Sequence, residues 1–192
     1  MSTSTGGTSQ TTQTSQAQPT PLPESQVSGT IDMNSFGAAV QEPEVVVVTN
    51  AEGEEVGRTT TKGKNFDLNA KTTSEKGGYH LVEFLAKDGG IVGKAIVSFK
   101  PGEKVSTRAD ASSTLVAALI SITAAGIGEE ALEQALKFKE KIDKMPPEVI
   151  QAALEDMRSV SDPNLSYLEW EALVRGREGI RKVFELLEGG NS

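Results

Sequence analysis

The apolar residues of this chain repeat at every second position before Ser112 and at helical spacing after Ile127, and the stretch SSTLVAALISITAAGI joins the two regimes. A chain that changes period in this way is not one repeating architecture. Strands bury one face and helices one stripe, and each needs a packed neighbour. The expected fold class is therefore α+β: an N-terminal antiparallel β-sandwich followed by a compact C-terminal helical bundle, with a disordered N-terminal tether. Within the joining stretch, Leu115, Leu119 and Ile122 fall at helical spacing with Val116 and Ile120 beside them, so a helix here is expected to be covered by protein on most sides. Ser121, Thr123 and Gly126 interrupt it well short of the roughly 18 to 20 apolar residues that span a bilayer.

Residues 1–26 are almost wholly Ser, Thr, Gln, Gly, Ala and Pro, a composition that buries too little surface to offset an ordering entropy of about 1 to 2 kcal/mol per residue. They read as a tether. Residues 27–108 carry the strand signals. VSGTIDM alternates from Val27 to Met33, and Glu44 to Asn50 is a β-branched run suited to a strand buried on both faces. VGRTTT from Val56, KGKNFDLNA, YHLVEFLA, IVGKAIVSFK and a short segment near Glu103 to Thr107 follow, separated by Gly-containing turns. The Asp88-Gly89 pair predicts a two-residue type I′ hairpin turn, with positive φ at both central positions. About seven short strands at this spacing suit a sandwich, and a small barrel is the alternative.

Three elements of this region, the opening V-x-G-x-I at Val27, the x-F-x-L strand at Phe66 and the Tyr79-His80-Leu81 strand closed by Lys87-Asp88-Gly89-Gly90, resemble the carboxypeptidase-regulatory-like, or transthyretin-like, sandwich modules of bacterial surface proteins. The resemblance covers about 80 residues and implies a non-catalytic spacer or binding platform; it carries a fold more securely than a function. The Ser/Thr/Gln leader resembles the start of mature bacterial lipoproteins, where a lipidated Cys precedes such a spacer. This chain has no Cys. Membrane contact is accordingly expected only through a lipid anchor that this chain does not carry, and the implied location is the cell envelope or cell surface after export. Residues 1–26 show no basic region followed by an apolar one, the pattern of a secretory signal.

Residues 109–192 read as a helical domain of about five short helices. Asp110, Ser112 or Ser113 can cap the first, and Gly126 with Gly128 ends it. The second has Glu129 and Glu130 in its first turn and lysines toward its end, the order a helix dipole favours. Met145-Pro146-Pro147 stops it, and Pro147 starts a third with Val149, Ile150, Ala153, Leu154 and Met157 on one face. Ser166-x-x-Glu169 has the form of a capping box for a helix from about Tyr167 to Arg175. Ile180, Val183, Phe184 and Leu187 mark the last helix.

Few residues offer chemistry. The absence of Cys excludes disulfides, thiolate metal sites and Cys nucleophiles. The net charge is -8, most of it in residues 109–192, and no basic stripe with interleaved aromatics is present, so nucleic acid is not an expected partner. His80 is the one histidine and alternates with Val82 and Phe84, which reads as a structural position; a general base would need a positioned partner. Asn50, Glu52, Glu54 and Glu55 crowd one turn with oxygens that suit calcium, but the EF-hand spacing is missing and a β-turn accounts for Asn50 and Gly53. Glu129/Glu130 and Glu155/Asp156 are sequence neighbours, which point about 100° apart on a helix and do not converge for glycoside chemistry. GEEVGRTTTKGK and KDGGIVGK lack the spacing and helix of a phosphate loop. The self-formed Lys-Asn isopeptide crosslinks of some Gram-positive surface domains follow a pattern with a lysine in the first strand, and this chain has none there.

Binding residues remain. Tyr79, Phe84 and Phe99 could line a sugar-binding face, and Tyr167 with Trp170 could form an interaction patch on the fourth helix. The expectation is a non-catalytic structural or protein-interaction protein without cofactor, its protein partner unidentified; a carbohydrate- or ligand-binding module using the sandwich face is the alternative.

Overall fold

A computed structural model of the protein describes residues 22–37, 41–72, 74–123, 129–159, 172 and 176–189. Among the described residues seven strands come first: β1 (Ser25–Ile31), β2 (Val45–Asn50), β3 (Glu55–Thr60), β4 (Asn65–Ala70), β5 (Gly78–Leu85), β6 (Ile91–Phe99) and β7 (Lys104–Ala109). A short 3-10 helix (Met33–Phe36) follows β1. The described helices are α1 (Ala111–Thr123), α2 (Glu129–Ile142), α3 (Pro147–Ser159) and α4 (Glu178–Gly189). The fold is mixed α+β. Its strands form a three-stranded sheet of order β4-β1-β7 and a four-stranded sheet of order β3-β2-β5-β6.

The pattern of each strand explains its place. β4 buries Phe66, Leu68 and Ala70 and exposes the residues between them, so it carries one apolar face. β2 buries Val46, Val47 and Val48 in succession, as its position between β3 and β5 requires. Phe66 of one sheet meets Phe84 of the other edge to face, with ring centroids 5.3 Å apart, and this pair links the two sheets through the core. Gly29 makes room for it: a Cβ there would lie 2.9 Å from the Phe66 ring and 2.3 Å from the Thr107 carbonyl oxygen.

Not every strand pair is antiparallel. β1 runs antiparallel to β4 but parallel to β7, with Val27 opposite Val105. The chain leaves β6, turns at Lys100 to Glu103, and crosses to the other sheet, where β7 lies in the direction of β1. Alternation reports which face of a strand is buried and not which way it runs, so an all-antiparallel expectation fails here. Ser25 and Gln26, polar enough to group with the leader, also belong to β1: Ser25 Oγ donates to the Lys100 carbonyl at 2.6 Å and Gln26 Nε2 to Asp67 Oδ1 at 3.1 Å. At the Asp88-Gly89 hairpin the Gly89 N-H reaches the Ala86 carbonyl and the Ala86 N-H reaches the Gly90 carbonyl. This is a three-residue connection in which the positive φ falls on Gly89 (89°), in place of the two-residue turn.

α1 begins directly after β7. Asp110 and Ser113 cap it reciprocally, Asp110 Oδ1 accepting from Ser113 N-H at 2.8 Å and Ser113 Oγ from Asp110 N-H at 2.9 Å. Ser113 Oγ also donates to the Lys94 carbonyl at 2.6 Å, while Thr114 Oγ1 accepts the Lys94 N-H at 2.9 Å. Lys94 lies on β6, an edge strand, so two helix hydroxyls satisfy backbone groups that would otherwise be open to another chain. Behind them Leu115, Val116 and Leu119 enter a core shared with the strands, as do Ile150 and Leu154 of α3 and Ile180, Val183 and Leu187 of α4. Ala111 N-H donates to Ser35 Oγ at 2.8 Å, and Gln151 Nε2 donates to the Ser35 carbonyl at 3.1 Å, so the 3-10 helix ties α1 to α3. The tether residues 1–21, the glycines at 126 and 128, and the fourth expected helix with its capping box (Ala172 apart) lie outside the described residues.

Candidate functional site

Along the paired strands β2 and β5, the inward row runs Val46 and Val48 to Asn50 and, opposite, Phe84 and Val82 to His80. The core thus turns polar at one end, and Asn50 and His80 are directly opposed there. The turn between β2 and β3 and the loop between β4 and β5 rise beside this end and enclose a cleft of about 250 Å³, lined by Asn50, Glu52, Thr72, Lys76, Tyr79 and His80 among others.

Each buried polar group of the cleft can be accounted for separately. Asn50, 6% exposed, is the organiser of its turn: Oδ1 accepts from the N-H groups of Glu52 at 3.0 Å and Glu54 at 2.9 Å, and Nδ2 donates to Glu54 Oε1 at 2.9 Å. His80, 4% exposed, stacks on Phe99 with centroids 3.8 Å apart and planes 14° from parallel. Its Nδ1 lies 2.8 Å from the Gly78 carbonyl oxygen, which can only accept, so Nδ1 carries a proton in this arrangement. Thr72 differs from both. It is 8% exposed, and its Oγ1 is buried with no hydrogen-bond partner. Gly77, with φ of 72°, lets the loop lie against β6, where a Cβ would come within 2.2 Å of the Phe99 carbonyl oxygen. Glu52 and Lys76 are exposed at the rim and bring one charge of each sign.

The other candidates fall elsewhere. The acidic turn that suits calcium spends its Asn50 carboxamide on backbone, and Glu55 pairs with Arg58 at 2.9 Å, a hydrogen bond that holds its carboxyl below the usual range. Among the described residues no group of three or more His, Cys, Asp or Glu is placed to hold a metal. Asp156 caps α4, accepting from the Gly179 N-H at 2.7 Å. Phe84 and Phe99 correct the expectation of an aromatic face: both are buried in the core, where their inward register places them, and Tyr79 alone of the three is partly exposed. Tyr167, Trp170 and the side chains of Glu129 and Glu130 lie outside the described residues. Thr72 carries no signal in the sequence, where KTTSEKGG reads as a loop; only the tertiary register brings it beside Asn50 and His80.

No protein-family model matches this chain, and no curated protein matches it.

Proposed function

We propose that this chain is a non-catalytic, exported bacterial surface protein or lipoprotein with a structural or protein-interaction role. In this reading its two sheets form a β-sandwich of the transthyretin-like kind, its helices gather as a bundle beside it, and the Ser/Thr/Gln leader serves as the tether. The observation that carries the reading is where the polar side chains spend their hydrogen bonds. Asn50 builds a turn, Ser113 and Thr114 seal a strand edge, Asp110 and Asp156 cap helices, and Ser112 bonds Asp143. Groups committed in this way to backbone or to a neighbouring side chain stabilise a scaffold and are not poised for proton transfer.

Location is tested by fractionating the source cells and treating intact cells with protease. Recovery in the envelope with cleavage from outside supports export, and recovery with cytosolic markers overturns it. The interaction role is tested by cross-linking the full chain at its surface and comparing it with Trp170→Ala. Loss of cross-linked partner with an unchanged urea midpoint places the partner site on the fourth expected helix; unchanged capture removes it from there.

A further inference from the structure

We propose that the cleft between the β2–β3 turn and the β4–β5 loop is a binding site for a single saccharide unit, a neutral ring bearing several hydroxyl groups. The proposal concerns a site at the end of the strands and holds wherever the protein resides.

Size sets the first limit. A volume of about 250 Å³ lies below the range of drug-sized ligand pockets and suits one ring. Charge sets the second. Glu52 and Lys76 stand together in the lining, so a polyanion meets a carboxylate and a polycation meets an ammonium, while a neutral ligand meets a donor and an acceptor.

The third limit is the Thr72 hydroxyl. A buried hydroxyl without a partner is destabilising, and its persistence calls for an explanation. Thr72 lines the cleft, and a staggered turn about χ1 exchanges its Oγ1 with its methyl or hydrogen position, bringing the oxygen to the cleft wall. There it can donate and accept at once, the pairing that a sugar hydroxyl offers in return. Asn50 and His80 behind it are held by their own bonds and their stacking on Phe99, so the wall is built before a ligand arrives.

The test is a titration of the isotope-labelled full chain, following backbone amide shifts, with glucose, galactose and N-acetylglucosamine, and with inorganic phosphate and glycine as charged comparisons. The expected result is saturable shifts with at least one sugar at millimolar concentration, centred on residues 50–54, 72 and 74–80. Thr72→Val and Lys76→Ala should each weaken that binding about five-fold or more. No saturation by any sugar, saturation by phosphate or glycine alone, or binding that neither variant weakens would each overturn the assignment. If Thr72→Val loses the native spectrum, Lys76→Ala at its exposed position decides, and unchanged sugar affinity there refutes the site.

Discussion

Thr114 and Thr72 are both buried threonines, and they stand in opposite conditions. Thr114 lies against the free edge of β6, where it accepts the Lys94 N-H and donates to the Asp110 carbonyl at 2.7 Å. Thr72 lies in a loop beside a cleft, and its hydroxyl has no partner. The side chain is the same; what differs is whether its hydroxyl has a partner. At the edge strand backbone supplies one, and the hydroxyl becomes part of the scaffold. In the cleft wall the Thr72 hydroxyl has no such bond, and it is left for something else.

The largest effect that would break this comparison comes from a residue that anchors α1 in the shared core. Leu115→Ala should lower stability by about 2 to 5 kcal/mol, read as a shift in urea midpoint, because it removes a fully buried side chain from the shared core. A loss of under about 1 kcal/mol would mean that α1 is dispensable to the strands. Thr114→Val keeps the shape but leaves the Lys94 N-H without its acceptor, and it should cost about 1 to 3 kcal/mol. Hydrogen exchange should show the Lys94 amide losing protection in that variant, and unchanged protection would show that the edge is sealed in another way.

Asp143 gives a smaller, pH-dependent test of the same helix. Burial acts to raise its pKa, but the hydrogen bonds from Lys139 and Ser112 outweigh burial and hold it below the usual carboxylate range. A folded pKa below the unfolded value, about 3.9, means stabilisation that is fully present above that value and lost as the pH falls through the folded one. Asp143→Asn should therefore cost under about 1 kcal/mol near neutral pH, the side chain being 46% exposed, and the gap from the parent protein should close toward pH 3. Parallel stability curves across that range would contradict it. The smallest expected change is Thr72→Val, which should leave the urea midpoint unchanged or slightly raised, since it removes an unpaired buried hydroxyl and keeps the volume. A clear loss there would show that Thr72 has a structural bond after all and would erase the contrast with Thr114.

How much of this was legible in the sequence differs by element. β2 and β4 could be read because a buried face writes itself as a β-branched run or as alternation. Asp110 and Pro147 marked helix starts because a cap and a fixed φ act locally. The direction of β7 could not be read, since its partner strand is the first in the chain. The burial of Ser112, Ser113 and Thr114 was hidden too, because hydroxyls in a first helical turn look like ordinary caps until a strand edge is set against them. For the cleft, Asn50 and His80 each stood out alone, one as a turn residue and the other as the one histidine. Nothing local pairs them: that takes the β2–β5 register, and Thr72 joins only through a loop.

The parallel pairing of β1 with β7 bears on the order in which this molecule can be assembled. Ser25 is bonded to a carbonyl 75 residues further along, so the middle strand of the three-stranded sheet waits for the last strand before its second edge is filled. During synthesis that edge stays open until β7 has left the ribosome, whereas the β2, β3, β5 and β6 sheet is made of nearer neighbours and can close earlier. Folding from the fully unfolded chain should consequently be governed by this long-range closure, and the slowest amides to gain protection should lie on β1 and β7.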